Sequence, residues 1–187
     1  MIGALPRSLS VSGRNYAIRS DYRYVLRIAA AFADPELEDR EKVYICLWIL
    51  YRDFDRIPKR DYEAAFRAAL SFIDHDSGEN KGGRPSPRIM DWEQDEALLF
   101  PAINKVAGRE VRGVKYLHWW TFLGYYSEIT EGTFATVLAL RSKKARGKPL
   151  EKWEAEYWNA NKDICRLRPK LTAEEQAAKA RLEAMLG

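Results

Sequence analysis

Cysteine, histidine and methionine are scarce. The 187 residues hold two Cys, two His and three Met. Two thiols, Cys46 and Cys165, cannot staple a disulfide scaffold, and they suit a reducing compartment. Together with His75 and His118 they are scattered without ligand spacing, so zinc is excluded and no metal site is predicted. Long apolar runs are missing as well. The longest, Val43–Tyr51 and Tyr116–Tyr126, fall well short of the roughly 20 residues that a membrane span requires. The opening Met-Ile-Gly-Ala-Leu-Pro-Arg has no basic start followed by an apolar stretch. The expectation is therefore no signal peptide, no membrane contact and a cytoplasmic protein. Charge of one sign is not in excess either. Lys plus Arg number 31 against 27 Asp plus Glu, a net +4 that does not by itself mark a nucleic-acid binder.

The motifs of common chemistries are also absent. Lys81-Gly-Gly-Arg84 has no strand before it and no helix directly after it, which a phosphate loop would need. Asp74-His75-Asp76 reads as a helix end, with His75 at the negative pole and the aspartates in solvent. Neither histidine has a recognisable nucleophile motif beside it. No catalytic residue, cofactor or small-molecule substrate is predicted, and an enzyme is the class with least support.

What is present is helical periodicity. Hydrophobic residues make up 47% of the chain and charged residues 31%, a globular composition. The pattern predicts a mainly α, compact multi-helix domain with a short N-terminal β-hairpin, one domain over residues 1–187. The hairpin is read in Ser8–Val11 and Tyr16–Arg19, turning through Ser12-Gly13-Arg14-Asn15. Tyr22, Val25, Leu26, Ala29 and Phe32 form one helix face, with Ser20 as its N-cap. Asp34-Pro35-Glu36 opens a second helix, where Val43, Leu47, Leu50 and Phe54 make a stripe that Tyr44, Trp48 and Tyr51 widen. A third stripe runs from Tyr62 through Ala65, Phe66, Ala69 and Leu70 to Ile73. Residues 76–88 are rich in Gly and Pro and read as a flexible loop.

Asp91-x-x-Gln94 resembles a capping box opening a helix to about Ala107, kinked at Pro101. Gly113–Ser127 reads as a buried helix and Thr133–Ser142 as the next. Pro149 starts another, bearing Leu150, Trp153, Tyr157 and Ile164. Thr172-Ala-Glu-Glu175 is a capping box before a last helix with a weak face of Ala178, Leu182 and Met185. Residues 166–187 are accordingly expected to pack loosely.

Two clusters stand out. Asp95 lies on the apolar side of its helix, three residues after Trp92 and four before Leu99, and a carboxylate there needs donors. His118 and the indole N–H groups of Trp92, Trp119 and Trp120 are the donors at hand, which predicts a structural lock of Asp95, Trp92 and His118. Trp119 and Trp120 are about 100° apart on a helix, so one belongs to the core and the other is partly exposed. The second cluster is basic. From Arg141 to Lys170 the chain carries ten basic and four acidic residues. Such a strip is either a solvated linker between helices or a docking surface for an acidic partner or nucleic acid.

Asp91-Trp-Glu-Gln-Asp95, then Tyr116-Leu-His-Trp-Trp-x-Phe122, then a helix ending near Leu140-Arg141 ahead of a basic stretch resemble the bacteriophage gene-product-fifteen family. Leu5-Pro6, the hairpin and Ser20-Asp21-Tyr-Arg23 resemble its opening, and the likeness covers residues 5 to about 165. The loop at 76–88 and the helix after Thr172 depart from the pattern. The resemblance implies a tail assembly chaperone of phages and prophages with long non-contractile tails, acting in the host bacterial cytoplasm and absent from the finished virion. Its implied partners are the tape measure protein and the tail tube protein. Contact through Trp119, Trp120 and Phe122, with Arg141, Lys143, Lys144 and Arg146 as a basic rim, is the expected mode. The alternative is a nucleic-acid-binding or regulatory protein that uses the strip at 141–170.

Overall fold

The computed structural model describes residues 3–75 and 87–186. It is mainly helical, as the periodicity predicts, with an antiparallel pair β1 (Ser8–Val11) and β2 (Arg14–Ala17) at the front. Val11 pairs with Arg14, so the turn holds two residues, Ser12 and Gly13, rather than the four read from the sequence. Both have positive φ, 48° and 79°. That geometry twists with the strands and so closes the hairpin two residues early. Ile18 and Arg19 leave the pair and bridge instead to the end of the second helix, with Arg19 N–H donating to Leu50 O at 2.7 Å.

Helix α1 (Tyr22–Ala33) is capped by Asp21, whose Oδ1 accepts from Arg23 N at 3.0 Å. The predicted cap, Ser20, is buried and hydrogen-bonds to Tyr116 Oη at 2.8 Å instead. Asp34 ends α1 rather than opening the next helix. Helix α2 (Asp39–Leu50) begins one turn later, because a Glu38/Glu41 capping box satisfies its first N–H groups. Cys46, Leu47 and Leu50 fill the core from α2. Tyr44 and Trp48 do not widen that face: they are 52% and 60% exposed. Two short 3₁₀ turns, Phe54–Arg56 and Lys59–Asp61, lead into α3 (Tyr62–Ile73), which buries Ala65, Ala69 and Phe72. The loop predicted at 76–88 lies, but for its last two residues, outside the described residues.

Helix α4 (Glu96–Ala107) starts four residues later than predicted, capped at Asp95 rather than Asp91, and contains Pro101. Residues 91–95 form a turn held by Asp91 Oδ1, which accepts from the N–H groups of Glu93 and Gln94. Helix α5 (Trp119–Ser127) is likewise shorter than the predicted Gly113–Ser127. Residues before it run extended against the start of α1, where Tyr22 N–H donates to Leu117 O and Trp119 N–H to Ser20 O. Helix α6 (Gly132–Ala145) buries Phe134, Val137, Leu140 and Arg141.

The next predicted helix is split at Asn161 into α7 (Lys152–Ala160) and α8 (Lys162–Cys165), with a Glu151/Glu154 box rather than Pro149 at its start. Helix α9 (Ala173–Leu186) carries the predicted Thr172/Glu175 box, Glu175 N–H donating to Thr172 Oγ1 at 3.1 Å. Ala178 and Leu182 on it are exposed.

The main core gathers the hairpin, α1 to α5 and the start of α6, from Val11 and Tyr16 to Phe122 and Phe134. At its centre Tyr22 stacks on Phe122, ring centroids 4.5 Å apart and planes 1° from parallel. A smaller cluster joins α6 to α8 through Val137, Leu140 and Cys165. Cys46 is a buried free thiol, and burial pushes it up to about 12. Among the described residues no helix is long and apolar enough to cross a membrane, and no group of His, Cys, Asp and Glu could hold a metal ion.

Candidate functional site

The residues of the two sequence motifs fold inward. Asp95 is the buried end of an ion pair, but its donor is neither His118 nor an indole. It is Arg141 of α6, which reaches the carboxylate with Nη1 at 2.7 Å and Nη2 at 2.9 Å. The other three guanidinium protons go to backbone carbonyls: Nε to Cys165 O, Nη1 to Ile89 O and Nη2 to Ile164 O. All five donors are therefore used, and Arg141 is 4% exposed. Gln94 closes the same knot, its Nε2 donating to Arg166 O and its Oε1 accepting from Arg168 N–H. The acidic motif thus ties the start of α4 to α6 and to the strand of chain after α8. Burial works against the Asp91 charge. The Gln94 N–H, Lys170 and Arg88 outweigh it and hold the carboxyl below the usual range.

The Leu-His-Trp-Trp string is a second set of ties. His118 caps α5, with Nδ1 accepting from Trp120 N–H at 3.1 Å. Its Nε2 must then carry the proton, donated to Pro6 O at 2.9 Å. Trp119 Nε1 donates to Ile73 O and Trp120 Nε1 to Phe72 O, so the indoles serve the end of α3 rather than Asp95. Trp92 joins the aromatic core instead, 6.0 Å from Trp119 by ring centroids. Trp119 and Phe122 are buried, while Trp120 is half-buried. Among the described residues no buried side-chain N or O lacks a partner.

His118 gives a pH dependence. Burial and the Arg7 charge lower its pKa, against the Pro6 bond, which raises it. The unfolded chain then takes up a proton at about pH 6.5 that the folded chain refuses until lower pH. Stability is expected to fall on acidification from about pH 6.5 and to level off below the folded pKa. Asn at 118 keeps a capping side chain but does not titrate. Urea unfolding at pH 7 and at pH 5.5 should show the loss in the wild type and a smaller loss in His118→Asn; equal losses in the two chains would refute the assignment.

The basic rim predicted from the sequence is also partly internal. Arg141 is in the core. Lys143 is paired with Glu154 and lies 3.8 Å from Glu151. Lys144 sits over the Trp158 ring at 4.7 Å, and Arg146 is exposed. Lys170 pairs with Glu93 at 2.5 Å. Four of the ten cations of the strip at 141–170 are thus engaged within the chain, which weakens the case for a nucleic-acid surface there.

An open apolar surface exists elsewhere. Between α1 and the start of α4 lies a cleft of about 330 Å³, half of whose lining residues are apolar or aromatic: Tyr22, Leu26, Ala30, Trp92 and Phe100. Arg23, Arg27 and Arg112 stand at its rim, with Glu93 and Glu96. Arg23 lies over Tyr22 at 4.7 Å and Arg112 over Phe100 at 5.1 Å, so cations cover these two buried rings, and Leu26, Ala30 and Trp92 form the open apolar part of the floor. Leu26 had been legible only as part of the apolar face of its helix, and Trp92 only as a member of the expected lock with Asp95 and His118. The signal that separates them is that the apolar stripe of α1 is wider than the partner helices cover, and only packing reveals that.

No curated protein and no solved structure matches the chain. The model of the family described as Bacteriophage Gp15 protein matches residues 1–167, which takes in the Asp95–Arg141 knot, the Leu-His-Trp-Trp ties and the cleft. The chain belongs to the bacteriophage Gp15 family.

Proposed function

We propose that this protein is a tail assembly chaperone. It holds an amphipathic helical segment of its phage's tape measure protein in the α1/α4 cleft, keeps that protein soluble in the host bacterial cytoplasm while tail tube subunits assemble on it, and leaves before the virion is complete. The observation that carries the reading is the cleft itself. An apolar, aromatic floor with cations and carboxylates at the rim suits an amphipathic helix laid face down. Family membership supplies the phage context. The contact differs from the one expected from sequence alone: Trp119 and Phe122 face the core, and Arg141 holds the fold together. Lys143, Lys144 and Arg146 remain at the surface end of α6 and act on encounter rate rather than on hold.

Co-expression with the tape measure protein tests this. The wild-type chain is expected to keep the tape measure protein soluble and to co-purify with it. Purified virions should lack the chain. Leu26→Glu puts a charge on the cleft floor and should abolish both effects while circular dichroism shows a retained fold. If the tape measure protein stays insoluble and nothing co-purifies, the chaperone reading is wrong.

A further inference from the structure

A second surface adjoins the cleft along α1 and shares Arg23 and Arg27 with it. Two adjoining hollows of about 340 and 370 Å³ share Ser20, Arg52 and Tyr116. Six cations line them: Arg7, Arg19, Arg23, Arg27, Arg52 and Lys115. They come from four separate stretches of chain, so no single charge run in the sequence marks them. The one carboxylate that lines either hollow is Asp21. Both its oxygens are engaged, by Arg23 and by the Leu117 N–H. That pairing cancels Arg23 and leaves five cations with no ion pair among the described residues. Five exceeds the net charge of the whole chain, +4.

These cations are positioned, yet keep donors in hand. Arg19 Nη1 alone contacts the carbonyls of Trp48, Ile49 and Tyr51 at the end of α2. Arg52 uses only Nε, on Ile18 O at 3.2 Å. Arg7 lies over the Tyr116 ring at 5.4 Å, and Arg19 and Arg27 lie over Tyr24 at 5.9 and 6.0 Å. The remaining guanidinium nitrogens and the Lys115 ammonium have no acceptor among the described residues. Arginine forks held in place over tyrosine rings match planar carboxylates two bonds at a time.

We propose that this pocket binds an acidic peptide segment of a partner protein, with its Asp or Glu carboxylates on Arg7, Arg19, Arg27, Arg52 and Lys115. Single-stranded nucleic acid fits less well, because it binds by stacking bases on open aromatic faces. Here Tyr24 and Tyr116 already carry guanidinium groups. The proposal does not depend on the tape measure protein being the partner.

The test is fluorescence anisotropy of the full chain with fluorescein-labelled poly-glutamate, and with labelled oligothymidine of equal charge. Poly-glutamate is expected to bind, and more weakly as salt rises. Arg7→Ser with Lys115→Ser removes two cations whose side chains hydrogen-bond to nothing among the described residues, and should weaken binding by about tenfold or more. Arg52→Ser should weaken it too. Lys152→Ser with Lys162→Ser, exposed at the starts of α7 and α8 and outside both hollows, should not. No binding, equal binding by the Arg7/Lys115 variant, or oligothymidine bound as tightly as poly-glutamate would overturn the proposal. None of these variants alters the apolar floor of the α1/α4 cleft, so the outcome is separate from that of the co-expression test.

Discussion

Arg141→Met is expected to lower stability by roughly 3–5 kcal/mol, a large share of what a domain of this size has. The reason is what the substitution strands. Asp95 would keep a buried carboxylate whose remaining donor is the Asp91 N–H at 2.9 Å. The carbonyls of Ile89, Ile164 and Cys165 would lose their donor in the same step. Arg141→Lys should recover little, since one ammonium cannot supply five donors in a planar fork. Asp95→Asn should also be costly, because it leaves the guanidinium charge buried and unpaired. Replacing both, as Asp95→Leu with Arg141→Met, removes the isolated charge and should regain part of the loss. It cannot regain all, because the carbonyls stay unsatisfied. Urea unfolding measures each. A loss below about 1 kcal/mol for Arg141→Met would mean that the pair is exposed in solution.

That pair also shows how far the sequence could be read. Asp95 was identifiable as a buried acid because helical period placed it between Trp92 and Leu99. Its partner was not, because Arg141 sits at the head of a basic run and every neighbour of like charge made it look solvent-facing. Periodicity reports a residue's face relative to its own helix. Which cation of a cluster turns inward depends on the other chain segments that supply acceptors, here the carbonyls of Ile164 and Cys165. Helix starts failed for more local reasons as well. Asp34, Asp91 and Gly113 mark the expected starts, but a Glu38/Glu41 box opens α2, the Asp91 carboxylate folds residues 91–95 into a turn ahead of α4, and pairing with Ser20 and Tyr22 holds the chain extended ahead of α5. The hairpin and the α3 stripe were legible since both are local. The cationic pocket was not, since Arg7, Arg52 and Lys115 meet only in the folded chain.

Trp119→Ala is expected to cost about 3–5 kcal/mol. Trp119 is 3% exposed, lies 5.8 Å from Phe122 by ring centroids, and donates its indole N–H to Ile73 O at 2.7 Å. Truncation opens a cavity beneath α5 and leaves that carbonyl at the end of α3 without its donor. Trp120→Ala should cost less, about 1–3 kcal/mol, because the ring is half-buried and its loss is mainly the bond to Phe72 O at 2.9 Å. These values separate folding from binding in the Leu-His-Trp-Trp string. On the chaperone reading, the Trp119→Ala chain is expected to solubilise the tape measure protein only at temperatures where it remains folded. Leu26→Glu, on the cleft floor, should fail at every temperature while its melting curve stays close to that of the wild type. The opposite pattern has a clear meaning. A Trp119→Ala chain that melts like the wild type but no longer holds the tape measure protein would place the indole at the partner surface. It would then move the binding site from the α1/α4 cleft to α5.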